Sequence, residues 1–341
     1  MKNQARRTML QMSAALAAGA LLPGRVVQAA SDPKIIEAAK KEGSVSLYSS
    51  ASTGPSNALA EAFRKKYDIN VSVYRAGSAD VATRVKAEES AGRTQADALI
   101  IEEPALSLLA PFLANYDSPE RKAIDAAYRL PNSTLIRMYM SQLGWNTNVV
   151  KGGAAPGDWK DLLDPKWKGK LVTAHPGYSG VIATHVLALV HLHGWDYFKQ
   201  LAQNKPMLVQ SAVDPSGVVA SGERPIAANG GDYTFYQVKK KGNPVEIVFP
   251  KEGVPLVVSP SAITSFAPHP NAARLFTDFI FSRDLQQVLA DSEGLYTGHP
   301  DVKYPADRPK LSELNLLRVD PEELEKRNEE IKTRFVEFFG A

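Results

Sequence analysis

The sequence predicts an α/β fold of two lobes, each a sheet flanked by helices, with a cleft between them. Three patterns carry that expectation. Residues 44–101 alternate strand, helix, strand, helix, strand with short joints. Residues 171–249 repeat the alternation as a second set. Two apolar runs, Gly253-Val-Pro-Leu-Val-Val258 and Ser261-Ala-Ile-Thr264, then return the chain to the first set. Lobes crossed more than once by the chain form a hinge that closes on a ligand. A length of 341 residues, 44% of them apolar, suits two cores rather than one.

Each element has a local cause. Asp32 and Pro33 start an amphipathic helix with Ile35, Ile36 and Ala39 inward, and Gly43 ends it. Residues 44–48 form a strand, and a polar turn over 49–56 leads to a helix over 57–66. Residues 69–74 alternate as a second strand, 79–90 form a helix, and 97–101 are apolar enough for a buried parallel strand. The apolar segment 134–145 carries the chain out of the first lobe. The second lobe reads as strands at 171–174, 207–209, 226–228 and 245–249, with helices at 179–192, 195–203, 215–221 and 233–240. Helices at 271–282 and 284–291 cover the returning strands. The first lobe is thus expected over 31–133 and about 255–300, and the second over 134–254. Residues 301–341 form a tail whose charged helix, starting at Asp320-Pro321, packs on the lobes.

Residues 1–30 read as an export signal. Lys2, Arg6 and Arg7 give a positive start, residues 9–22 an apolar stretch too short to span a bilayer, and Val27-Gln28-Ala29 a cleavage site. Arg6-Arg7 before Thr8-Met9-Leu10 suits the twin-arginine route, and a general secretory signal reads the same way. Cutting after Ala29 removes Lys2, Arg6, Arg7 and Arg25 with no acidic residue, so the formal charge of +3 falls by four to −1. The basic balance belongs to the signal, and nucleic acid is not expected as a partner. The absence of cysteine excludes disulfides, thiolate metal sites and a thiol nucleophile. The mature chain is expected in the periplasm, as a monomer.

Catalytic motifs are missing. Gly177-Tyr178-Ser179-Gly180-Val181 lacks the G-x-S-x-G spacing, and neither a Walker A sequence nor G-x-G-x-x-G occurs. His185, His191 and His193 fall on different faces of one helix, which suits satisfied or surface histidines better than a metal site. No nucleophile–base pair has motif spacing, which leaves a periplasmic hydrolase only as a remote alternative.

The turn His175-Pro-Gly-Tyr-Ser179-Gly180-Val181 is more informative. Ser179 stands at the N-cap position of a long apolar helix. Its hydroxyl, the amides of Gly180 and Val181 and the positive helix end suit an anion or plain capping. Ser49, Ser50, Ser52 and Thr53 offer hydroxyls after the first strand, and Glu102 follows the third. Both loops leave the carboxyl ends of parallel strands, where open α/β sheets place ligands. In the second lobe Asp232, Tyr233 and Tyr236 open a helix. Carboxylate and phenolate are oxygen donors that suit a hard cation.

The run Trp159-Lys-Asp-Leu-Leu-Asp-Pro-Lys-Trp-Lys-Gly-Lys170 joins a capped turn, a Pro break and a Trp-Lys-Gly corner ahead of a strand. Together with Gly222-Glu-Arg-Pro225 and the tyrosine-bearing helix start after it, this run resembles the periplasmic solute-binding proteins of ABC importers, in particular the ferric-iron-binding group. The resemblance runs from Ser44 to about Asp291 and is strongest between Gly144 and Phe249. It implies the two-lobed periplasmic binding protein fold, delivery of a small ligand to the importer's membrane subunits, no catalysis and no tightly bound cofactor. It further implies Fe(III) as cargo, with Glu102, Asp232 and Tyr233 as metal ligands and Ser179-Gly180 holding the accompanying phosphate or carbonate.

Two departures keep the ligand open. The family's adjacent tyrosines, counted from Pro225, fall on Asp232 and Tyr233, so only one matches. The loop after Tyr48 holds hydroxyls where relatives supply a His or Tyr. A phosphorylated or carboxylated small organic molecule is the alternative, its anionic group on the hydroxyls and its own hydroxyls donating to Asp232. Import and chemosensory signalling are both compatible with such a fold.

Overall fold

The computed structural model describes residues 32–340, so the signal expected over residues 1–30 lies outside the described residues. In chain order the first part comprises α1 (Pro33–Glu42), β1 (Ser44–Ser49), α2 (Thr53–Tyr67), β2 (Asn70–Arg75), α3 (Ser78–Ser90), β3 (Ala98–Ile100), α4 (Glu103–Ser107), β4 (Arg129–Leu130) and β5 (Ser133–Met140). The second comprises β6 (Leu143–Asn146), β7 (Leu171–Ala174), α5 (Gly180–His193), α6 (Trp195–Gln203), β8 (Met207–Val209), α7 (Asp214–Ser221), β9 (Ile226–Ala227), α8 (Asp232–Lys240) and β10 (Val245–Val248). The chain then returns through β11 (Val254–Ile263), α9 (Pro270–Phe281), α10 (Arg283–Glu293) and β12 (Tyr296–Thr297). It ends with β13 (Leu316–Leu317) and α11 (Pro321–Phe339).

Two sheets result, one per lobe. The first runs β12-β5-β11-β3-β1-β2, with β13 on β11 and β4 on β5; the second runs β10-β6-β9-β7-β8. β1 is parallel to β2 and β3, while the returning β11 lies antiparallel to β3 and β5. Strand β11 is one element buried along its whole length, with a register shift between Ser259 and Pro260.

The crossing points decide where the hinge lies. Strand β5 is buried at every position and stays in the first sheet through Met140. The chain therefore crosses at Ser141–Gln142, later than the boundary at 134 that the apolar run suggested. It recrosses over 249–253, and a third time only after β13, over 318–320, on its way to α11, which packs on α5 and α6 and also on α4 of the first lobe. The Trp-rich stretch anchors the second crossing. Trp159 is fully buried and donates its Nε1–H to the Gly253 carbonyl at 2.8 Å. Asp158 and Asp161 form a capping box around that turn, and Asn204 holds the carbonyls of Leu162 and Asp164.

Candidate functional site

A buried polar group gathers where the lobes face each other. β5 presents Arg137 and Tyr139 on one face, and across the ladder β11 presents Ser259 opposite Arg137. The Tyr139 hydroxyl donates to Glu102 Oε1 at 2.7 Å, and Arg137 Nη2 stands 3.8 Å from the same oxygen. The guanidinium lies over the Tyr139 ring at 5.1 Å. Its side chain is 4% exposed, yet Nε and Nη2 make no hydrogen bond. Ser259 Oγ and Ser50 Oγ are likewise buried without a partner. Buried polar groups are nearly always paired, so open donors on Arg137 and on Ser259 opposite it mark a place for an acceptor-rich guest.

The second lobe closes the group from the other side. Tyr233, at the start of α8, is 5% exposed and sets its ring edge-on to Tyr139, with centroids 5.5 Å apart. Ser52 of the first lobe stands near the Tyr233 phenol. Burial pushes the phenols of Tyr233 and Tyr139 up from their ordinary range, although Arg137 pulls both, and Ser52 that of Tyr233, the other way. Both are protonated donors at neutral pH.

The hydroxyl loop divides its work. Ser49 accepts from the Ala51 amide at 3.0 Å and shapes the turn, which Arg75 braces by donating to the Ala51 carbonyl at 3.4 Å. Ser52 is the N-cap residue of α2 but makes no capping bond, and Thr53 begins the helix, exposed. The helix thus takes in part of what the sequence suggested was turn. At the start of α5, Ser179 also makes no side-chain capping bond. Space is open at the Gly180 Cβ position, while Val181 is buried. α5 packs against β11, the strand that carries Ser259.

Two expected ligands are corrected by the geometry. Asp232 is fully buried: Oδ1 accepts from the Met140 amide at 2.9 Å and Oδ2 from Arg308 Nη2 at 2.6 Å, so neither oxygen is free for a ligand. Tyr236 lies against Gly294 and 5.2 Å from the Arg308 guanidinium, on the same side of α8 as Asp232. The metal set of Glu102, Asp232 and Tyr233 is therefore not assembled. Among the described residues no group of three or more His, Asp or Glu is placed to hold a metal ion. The three histidines go separate ways: His185 against Trp159, His191 to Glu323 and His193 to Glu252.

Sequence reasoning missed Arg137, Tyr139 and Ser259. One signal was present, a single charge inside the apolar run Leu135-Ile-Arg-Met-Tyr-Met140.

Two sheet lobes crossed three times, with donors that make no hydrogen bond among them, have the architecture of a small-ligand binding protein. The chain belongs to the bacterial extracellular solute-binding protein family, whose description matches residues 108–315. Proteins of this kind deliver small ligands to the membrane subunits of ABC importers and are not enzymes, and the family implies a periplasmic location. A Salmonella typhimurium protein named, provisionally, for binding 2-aminoethylphosphonate in the periplasm is 27% identical over 247 residues, 68% of this chain and 70% of that one. The solved periplasmic binding protein AfuA from Actinobacillus pleuropneumoniae, with fructose-6-phosphate bound, superposes with a TM-score of 0.77 at 26% identity, covering 88% of this chain and 99% of that one. Iron-bound HitA from Pseudomonas aeruginosa shares the fold, with a TM-score of 0.75 at 22% identity over 86% and 99% of the two chains.

Proposed function

We propose that this protein carries a small organic anion of the phosphonate or phosphate-monoester class to an ABC importer, and that Arg137 receives the anionic group. The observation that carries the reading is the buried guanidinium whose Nε and Nη2 make no hydrogen bond, with Glu102 3.8 Å away as its ion-pair partner, walled by Tyr139 and Tyr233. A guanidinium fork matches the spacing of phosphoryl oxygens and holds them by charge-assisted bonds. Ser259, Ser50 and Ser52 add hydroxyls, and the start of α5 at Ser179, Gly180 and Val181 adds amides and the positive helix end. Glu102 is the acceptor opposite, suited to an amine or hydroxyl on the same ligand. The similarity to the aminoethylphosphonate and fructose-6-phosphate proteins supports the same class.

Ferric iron with a synergistic anion is the competing cargo, kept in view by Glu102, Tyr233 and the fold shared with HitA. The donor set suits it less well. A fixed cation sits among the oxygens, the phenols are held protonated, and Asp232 is committed to Arg308.

A thermal-shift panel separates the two readings. 2-Aminoethylphosphonate, fructose 6-phosphate, inorganic phosphate and ferric citrate would be added to protein that has been unfolded, dialysed and refolded. The expected result is a rise in Tm with an organophosphorus compound, lost in Arg137→Met. A rise only with ferric citrate, together with a visible tyrosinate-to-iron band, overturns the proposal.

A further inference from the structure

Asp232 and Tyr236 looked like ligands in the sequence, and their actual neighbours point to a different task. Arg308 belongs to the segment between β12 and β13, both strands of the first sheet. Its Nη2 donates to Asp232 Oδ2 at 2.6 Å and to the Gly294 carbonyl at 2.7 Å, and its guanidinium lies 5.2 Å from the Tyr236 centroid and 4.4 Å from that of Tyr296. The side chains of Arg308 and Asp232 are 1% and 0% exposed. The other Asp232 oxygen takes the amide of Met140, the last residue before the first crossing. One ion pair therefore joins the start of α8 in the second lobe to the end of β5, the end of α10 and the β12–β13 segment of the first.

The contact continues along α8. Residues 232, 236 and 240 share one helical stripe, and Tyr233 stands about 100° away from Asp232. Tyr236 packs on Gly294, which has a φ of +68° and no room for a Cβ against the tyrosine ring. Gln237 Nε2 donates to Glu293 Oε2 at 2.8 Å, and Lys240 Nζ to the Asp291 carbonyl at 2.7 Å. α8 flanks the second sheet, packing on β10, whereas α10 packs on α2 and α9 of the first lobe.

We propose that Arg308 is a positioning residue for the cleft. Acting through Asp232, it pins the first turn of α8, and with it Tyr233, to the end of α10, making that contact the fixed point about which the lobes rotate. Separating a buried ion pair leaves two uncompensated charges, a cost that ligand-driven closure cannot meet in every cycle. A rotation that leaves the α8–α10 contact intact avoids it. This inference deepens the reading of Tyr233 as cleft wall and rests on it, but it does not depend on which ligand is bound.

Electron–electron distance measurements on nitroxide-labelled protein test it, because the chain has no cysteine of its own. One labelled pair, Lys241→Cys with Ser292→Cys, at exposed positions beside the contact, reports it; a second, Glu61→Cys with Lys199→Cys, places exposed labels on α2 and α6, one in each lobe. In ligand-free refolded protein the inter-lobe pair should give a broad or two-peaked distribution, and the α8–α10 pair a single narrow one. Arg308→Met should broaden the α8–α10 pair, and Arg308→Lys should restore it. A merely structural Arg308 would lower Tm and leave that distribution narrow.

A broad α8–α10 distribution in the parent overturns the proposal, as does a narrow inter-lobe one or no broadening in folded Arg308→Met. If Arg308→Met does not fold, the two parent distributions decide. No ligand enters the measurement, so an error in the proposed ligand class leaves the result readable.

Discussion

His185 gives the account a quantitative handle on stability. It lies inside α5, fully buried, with its ring 5.1 Å from that of Trp159 and its Nδ1 without a hydrogen-bond partner. Burial alone pushes its pKa down from 6.5 to about 3. The folded protein thus keeps the imidazole neutral where the unfolded chain protonates it. The resulting stability is complete above the unfolded pKa and is lost as pH falls from about 6.5 towards 3. At pH 5 the loss is about 2 kcal/mol, since each pKa unit corresponds to about 1.4 kcal/mol. For a chain of this size that shift lowers Tm by about 3 °C. The test is urea denaturation at pH 7.5, 6, 5 and 4.5 for the parent and His185→Leu, which fills the site without a titrating group. The difference in stability between the two should shift by about 2 kcal/mol between pH 7.5 and pH 5, in favour of the variant. Parallel acid slopes in the two proteins would refute the buried neutral histidine as the cause.

Other consequences concern the hinge and the cleft. Trp159→Phe keeps the ring in place but strips the Gly253 carbonyl of its donor, and should cost about 1–2 kcal/mol in chemical denaturation. Ser179→Ala should weaken binding of the organophosphorus ligand by about 1 kcal/mol, roughly fivefold in Kd by calorimetry. Gly180→Asp, which puts negative charge at the open start of α5, should weaken it far more. If Gly180→Asp binds as tightly as the parent, that turn is only a helix start. Ser52→Ala removes the hydroxyl that faces Tyr233 from the first lobe and should raise the ligand off-rate in stopped-flow measurements; an unchanged rate would place that hydroxyl outside ligand retention.

The legible part of this protein was its periodic part. Alternation and helix stops fixed the order of elements, from Gly43, left-handed at φ +77° after α1, to Asp320, whose side chain caps α11. Local cues failed where partners came from distant sequence. Nothing near Asp232 signals Arg308, which lies 76 residues away and claims its carboxylate. Likewise Arg137 acquires meaning only once β11 and Tyr233 of α8 pack around it. The late crossing at Ser141 is a different case: the polar pair Ser141-Gln142 does interrupt the apolar segment 134–145 at the crossing, but Thr134 and Arg137 are polar within the same stretch, so a polar residue alone does not mark where one sheet ends and the next begins.

The central claim is that the cleft closes on an organic anion held by Arg137. Native mass spectrometry of the protein purified from its own periplasm, with electronic absorption recorded on the same sample, tests it most directly. The account predicts a colourless protein carrying a single small phosphorus-containing organic adduct, absent from Arg137→Met prepared in the same way. An iron adduct with a visible charge-transfer band, retained in Arg137→Met, would contradict it.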